Sequence, residues 1–169
     1  LQGVMVQMFA HGVNVIGILF VIQILFNRTG TLQINSMGGL RNQMPQLAVY
    51  FLILIMANIA LPSTNGFVGE FLLFIGVFNY NPYLAALGGL TIILGAVYLL
   101  STYQKVMLGE AKAEFNVVMD LSLLEKSILI PIVIAIFAFG LFPDIILDVT
   151  EPAINGILHA VNHSIPVAN

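Results

Sequence analysis

A chain of 169 residues that is 59% hydrophobic and only 8% charged cannot cover itself with a soluble surface, because soluble domains carry about 25% charged residues. The mean hydropathy of +1.01 agrees, and places the chain among membrane proteins. The absence of cysteine excludes disulfides, Cys-ligated zinc and iron–sulfur clusters held by this chain.

The first apolar segment covers residues 1–26, long enough to span a bilayer. The sequence enters it at Leu1 without a preceding Met, which we take as the mark of a C-terminal piece of a longer membrane subunit. Gly3, Gln7, His11 and Asn14 recur at helical spacing and share one face, while the other faces are Val, Ile, Leu, Met and Phe. Two readings stay open. Small and polar residues are the usual contact face between membrane helices. Alternatively the row conducts protons, with His11 as its titrating member, since imidazole exchanges a proton near neutral pH.

The second segment, residues 46–80, would be about 50 Å long as one helix, against a hydrocarbon core of about 30 Å. The run Pro62, Ser63, Thr64, Asn65 and Gly66 resolves the excess by predicting two half-helices joined by an irregular piece. Ser63, Thr64 or Asn65 is placed to cap the second half. Asn58 sits one turn before the proline. Glu70 is the only acidic residue of the segment and follows shortly after the break. A charge near the bilayer centre costs about 2.5–3.5 kcal/mol on insertion scales, and a helix break must have its backbone satisfied by protein or water. The two together mark an ion-carrying helix. The positive end of the half-helix favours the carboxylate and burial favours the neutral acid. That balance suits a group that loads and unloads a proton. A purely structural carboxylate, bonded to another helix, is the alternative.

The third segment, residues 83–103, carries Gly88, Thr91, Gly95, Tyr98 and Thr102 on one face, read as a packing face. The charges that follow, Glu110, Lys112, Glu114, Asp120, Glu125 and Lys126, read as an ordinary solvated loop. The fourth segment, residues 127–142, has no polar side chain beyond Ser127 and is expected to kink at Pro131. Thr150-Glu151-Pro152 then predicts a helix start, and Ile154, Ile157, Leu158, Val161 and Ile165 give residues 150–165 an amphipathic pattern. The basic residues Arg28, Arg41, Lys105, Lys112 and Lys126 fall only between the first and second and between the third and fourth segments. With four crossings, those loops share one side of the membrane, the cytoplasmic one. The prediction is therefore a single all-α membrane domain over residues 1–169. It has about four transmembrane spans, one discontinuous, and a terminal amphipathic helix. His159 and His163 stand one turn apart without an obvious third metal ligand. No nucleotide loop, catalytic triad or nucleic-acid surface is visible, and neither a metal nor a cofactor is expected.

The stretch from Leu61 to Phe71, with its Pro-x-x-x-Gly-Phe-x-Gly-Glu-Phe pattern, resembles the broken helix of the proton-translocating, antiporter-like membrane subunits of respiratory complex I. Ala10-His11 and the loop from Ser36 to Leu40 match as well. Related L-type and N-type subunits and Na⁺/H⁺ antiporter subunits carry Lys near the place of Glu70. The acid therefore points to the M-type group, whose mitochondrial counterpart is NADH dehydrogenase chain 4. The resemblance implies proton movement driven by NADH-to-quinone electron transfer elsewhere, with no redox cofactor in this chain. Glu70 would be the acid at the exit end of a polar axis and His11 an axis histidine. Gln7, Asn14 and Asn58 are polar-axis candidates. It also implies neighbouring membrane-arm subunits as partners and a bacterial cytoplasmic membrane rather than a mitochondrial one. The family's glutamate and lysines of earlier helices are not in this sequence. A cation/proton antiporter or membrane-bound hydrogenase (or formate hydrogenlyase) subunit, and a purely structural membrane-arm segment, remain as alternatives.

Overall fold

The computed structural model describes residues 1–110, 115 and 118–164, with side chains as far as Ala160. The chain is all-helical over these residues, and three of its helices are long and apolar enough to cross a membrane. Helix α1 (Gln2–Thr29) closes at Gly30, whose left-handed φ of 69° lets its N–H reach Phe26 O at 2.8 Å. Its buried face runs through Val6, Ala10, Asn14, Gly17, Val21 and Ile24. Helices α2 (Pro45–Asn58) and α3 (Asn65–Tyr80) are two halves separated by residues 59–64. Asn65 and Gly66, expected in the break, instead open the second half-helix. Helix α4 (Pro82–Tyr103) is carried on by a π-type turn, Gln104–Leu108. Helix α5 (Leu123–Leu141) runs unbroken past Pro131.

Helix α3 lies chiefly against α1 and also touches α4 and α5. A densely buried cluster that includes Leu40, Met44, Leu47, Met107 and Leu129 gathers toward the end where α1 stops and α5 starts. Between helices in lipid, apolar burial contributes little, because lipid tails are as apolar as leucine; close backbone approach and polar ties must hold such a bundle. Both are present. Gly140 of α5 packs on the backbone of Ser63 and Thr64, where any Cβ would collide. Gly69 of α3 likewise makes room for Gln7 of α1.

Two expectations are corrected. The charges after α4 are not all an ordinary solvated loop. Arg28 donates from Nη2 to both oxygens of Glu125 at 2.9 Å and from Nε to Met119 O at 3.1 Å. Glu125 also closes a capping box with Ser122 at the start of α5. Asp120 accepts from Gln46 N at 2.9 Å and Leu47 N at 3.1 Å. These residues face charges and unpaired helix N–H groups from distant parts of the chain, which the local sequence does not display. The basic turns after α1 and α4 therefore lie at one end of the bundle. Lys112 and Glu114 fall outside the described residues.

The tail is the second correction. Helix α6 (Asp144–Ser164) begins at Asp144, not at Thr150, and Pro152 lies inside it. Thr150 is no cap: its Oγ1 donates back to Ile146 O at 2.8 Å and to Leu147 O at 3.2 Å. Pro152 removes one backbone bond, but Ile146 and Ile154 are buried on either side of it and hold the helix through the proline. Ile157 and Leu158 are exposed, and the side chains of Val161, His163 and Ile165 fall outside the described residues.

Candidate functional site

The break is built from the end of α2 outward. Ala60 takes a left-handed φ of 55°. Its N–H bonds Ala57 O at 3.4 Å, and Leu61 N–H bonds Met56 O at 3.0 Å. This double closure is a Schellman motif with alanine where glycine is usual. Pro62 follows, exposed and outside both helices. Ser63 is also left-handed, with φ 79°. Thr64 stands at the N-cap of α3 without bonding its first amides; its Oγ1 donates to Leu61 O at 2.7 Å and so ties the loop to itself.

Helix α1 holds the two halves from the side. Asn14 is 2% exposed, and its Nδ2 donates to Ala57 O at 3.3 Å. Asn65 is fully buried, and its Nδ2 donates to Ala10 O at 3.5 Å. Each amide thus commits an N–H to a carbonyl of the other segment, while its oxygen finds no donor among the described residues. The buried oxygens Gln7 Oε1, Asn14 Oδ1, Asn65 Oδ1 and Glu70 Oε2 accept no hydrogen bond from any described residue. All four are acceptors, and what each can take is a hydrogen-bond donor, water and a protonated carboxyl among them.

Glu70 sits where two cavities meet. One, of about 370 Å³, is lined by Gln7, His11, Asn14, Asn58, Glu70 and Tyr98, with Ala57, Gly66 and Leu99. The other, of about 350 Å³ between α3 and α4, shares Asn58, Glu70, Tyr98 and Leu99 and adds Gly88, Thr91 and Gly95. A water needs about 30 Å³, so each can hold several. Gln7 lies beside the Glu70 carboxyl. Asn58 donates from Nδ2 to Leu54 O at 2.8 Å and lines both cavities.

The structure brings together Gln7, His11, Asn14, Asn58 and Glu70 of the residues singled out in the sequence. It does not keep the α1 row on one buried face: Gly3 and Asn14 are buried, Gln7 is half-buried, and His11 is exposed at the cavity's edge. Pro62 and Ser63 contribute shape to the break and do not line the first cavity. The face of α4 has a neighbour that the sequence did not display. Gly88, Thr91, Gly95 and Tyr98, the packing face expected from the sequence, line the cavity that reaches Glu70, and a Cβ at Gly88 would meet no described atom within 4 Å. The helical recurrence was visible; what it faces was not. Among the described residues, no group of three or more His, Asp or Glu is placed to hold a metal.

These features define a class: a polytopic membrane protein in which a carboxyl group stands beside a broken helix, between two polar-edged cavities. Residues 1–102 match the family described as NADH:quinone oxidoreductase/Mrp antiporter, transmembrane, and the chain belongs to that family. It is 38% identical to NADH-quinone oxidoreductase subunit M of Rickettsia prowazekii (strain Madrid E), over 94% of this chain and 32% of that protein. It is 36% identical to subunit M of Rhodobacter capsulatus, over 90% of this chain and 30% of that one. The NADH-ubiquinone oxidoreductase chain 4 of Arabidopsis thaliana is 32% identical over 92% of this chain. A chain of respiratory complex I from Thermus thermophilus with bound NADH superposes with a TM-score of 0.81 at 36% identity, covering 86% of this chain and 30% of that one. The chain therefore spans about a third of the length of the curated relatives it matches. The resemblance to M-type subunits, first seen around Pro62 and Glu70, is shown by these matches.

Proposed function

We propose that the protein carries protons across the bacterial cytoplasmic membrane as part of the membrane arm of NADH:quinone oxidoreductase, with NADH oxidation and quinone reduction performed elsewhere in the complex. The observation that carries this reading is the position of Glu70, in the shared wall of two cavities, one of which it lines together with Gln7 and Asn14, whose buried oxygens accept no hydrogen bond from a described residue. A carboxyl group there can take a proton from one cavity and release it into the other, provided the water contacts of the two sides alternate. His11, at the rim of the first cavity, relays protons toward Glu70. Gln7, Asn14 and Asn58 hold the intervening waters, while Pro62, Ser63, Thr64, Asn65 and Gly66 shape the break. The chain itself binds no redox cofactor and no metal; its partners are the neighbouring antiporter-like subunits, membrane lipid and the proton.

The family also includes antiporters, so a cation/proton antiporter subunit is the competing reading. The subunit M and chain 4 names of the relatives favour the first. Native gel electrophoresis of gently solubilised membranes, with the full-length subunit tagged, tests the choice. Co-migration with NADH:quinone reductase activity is expected. Migration without that activity, together with Na⁺/H⁺ exchange in reconstituted vesicles, would overturn the reading.

A further inference from the structure

Helix α2 has no cap of its own. It starts at Pro45, its N-cap residue Met44 offers no side-chain acceptor, and the N–H groups of Gln46 and Leu47 are left over. Asp120, remote in sequence, takes both, with one oxygen each at 2.9 and 3.1 Å. A third bond, from Leu121 N to Asp120 Oδ1 at 2.8 Å, fixes the carboxylate in place. The charge also faces the positive end of the α2 dipole. Near the same end, Tyr103 Oη donates to Ala48 O at 3.2 Å. Toward the far end, about 16 Å from Gln46 at 1.5 Å per residue, Asn14 holds Ala57 O.

We propose that Asp120 is a positioning residue: by pinning the start of α2 it sets the axial position of that half-helix, and through it the wall that Ala57, Asn58 and Ile59 present to Glu70. The contacts along the body of α2 are mostly apolar and set no single axial register by themselves as directional bonds do, and the directional bonds are those near its two ends. Ala57 and Asn58 line the first cavity and Asn58 and Ile59 the second, so any axial shift of α2 changes both approaches to Glu70 together. Residues 119–121, just before α5, thereby become a strap. They tie α1, where Arg28 Nε donates to Met119 O, and α2, through Asp120, to the start of α5, which Arg28 also holds through Glu125.

The inference rests on Glu70 being a proton carrier, and its test separates the two claims. Asp120→Asn, Asp120→Ala and Glu70→Gln are placed in the full-length subunit of the assembled complex. Protons pumped per electron pair are measured on the assembled fraction. The infrared carboxyl band lost in Glu70→Gln serves as the position-sensitive signal. Asp120→Asn keeps one acceptor and loses the charge, so pumping should fall about 2-fold; Asp120→Ala should fall further, toward 10-fold, as misplacement of reacting groups does. In both, the Glu70 band should shift. Full pumping and an unshifted band in Asp120→Ala, with pumping lost in Glu70→Gln, would overturn the positioning role alone. Full pumping in Glu70→Gln would overturn the underlying reading. If even Asp120→Asn prevents assembly, the residue is a folding determinant and the positioning claim fails.

Discussion

Pro45 and Pro82 open helices, whereas Pro62, Pro131 and Pro152 stand where a helix could continue on both sides, and only at Pro62 does it break. Pro131 lies within α5 and Pro152 within α6, and both helices continue. Pro62 lies between α2 and α3, where the chain is open over residues 59–64. A proline removes one hydrogen bond and clashes with one carbonyl, which packing on either side can absorb. What distinguishes the Pro62 region is everything around it. The helix has already turned left-handed at Ala60, the loop is tied by Thr64, and the freed surfaces are met by Asn14 and Gly140. The break is thus a tertiary construction that accommodates a proline, and it is built close to Glu70, which lines a cavity on each of two sides.

The largest test of that comparison is Gly140→Val. The added side chain would collide with the backbone of Ser63 and Thr64, and we expect a loss of about 3 kcal/mol or more, read as failure of the full-length subunit to assemble. Next comes Asn14→Leu, which leaves Ala57 O without its side-chain donor. The cost should be about 1–2 kcal/mol, visible as a lower unfolding temperature in detergent and faster amide exchange across residues 59–64. The smallest effect is expected from Ala60→Gly. Relieving the left-handed alanine should stabilise by about 1 kcal/mol or less, whereas a loss of stability would show that the Schellman closure is not held in the assembled protein.

The sequence displayed the parts of this arrangement that local chemistry encodes. Helical length and charge placement gave the spans, and Pro62 to Gly66 with Glu70 gave the interrupted helix. What it hid depends on partners far along the chain. The break starts at Ile59 and Ala60, which carry no turn signal, because the Schellman closure there uses alanine and the support comes from α1 and α5. Asp120 and Glu125 looked like solvated charges, since the amides of α2 and the guanidinium of Arg28 that they meet lie more than seventy positions away. Thr150 and Pro152 imitate a helix start, and only the burial of Ile146 and Ile154 on both sides overrides them.

The central claim is that Glu70 carries the proton that NADH oxidation drives. The direct measurement is protons translocated per electron pair in membranes carrying Glu70→Gln in the full-length subunit, with assembly followed on native gels. Gln keeps the size and removes the exchangeable proton. The account predicts an assembled complex in which pumping falls by roughly 10-fold or more, as expected when a positioned acid–base group is lost, and in which coupled NADH oxidation slows with it. An assembled complex that pumps at the original ratio would contradict it and leave Glu70 as a structural carboxylate of the broken helix.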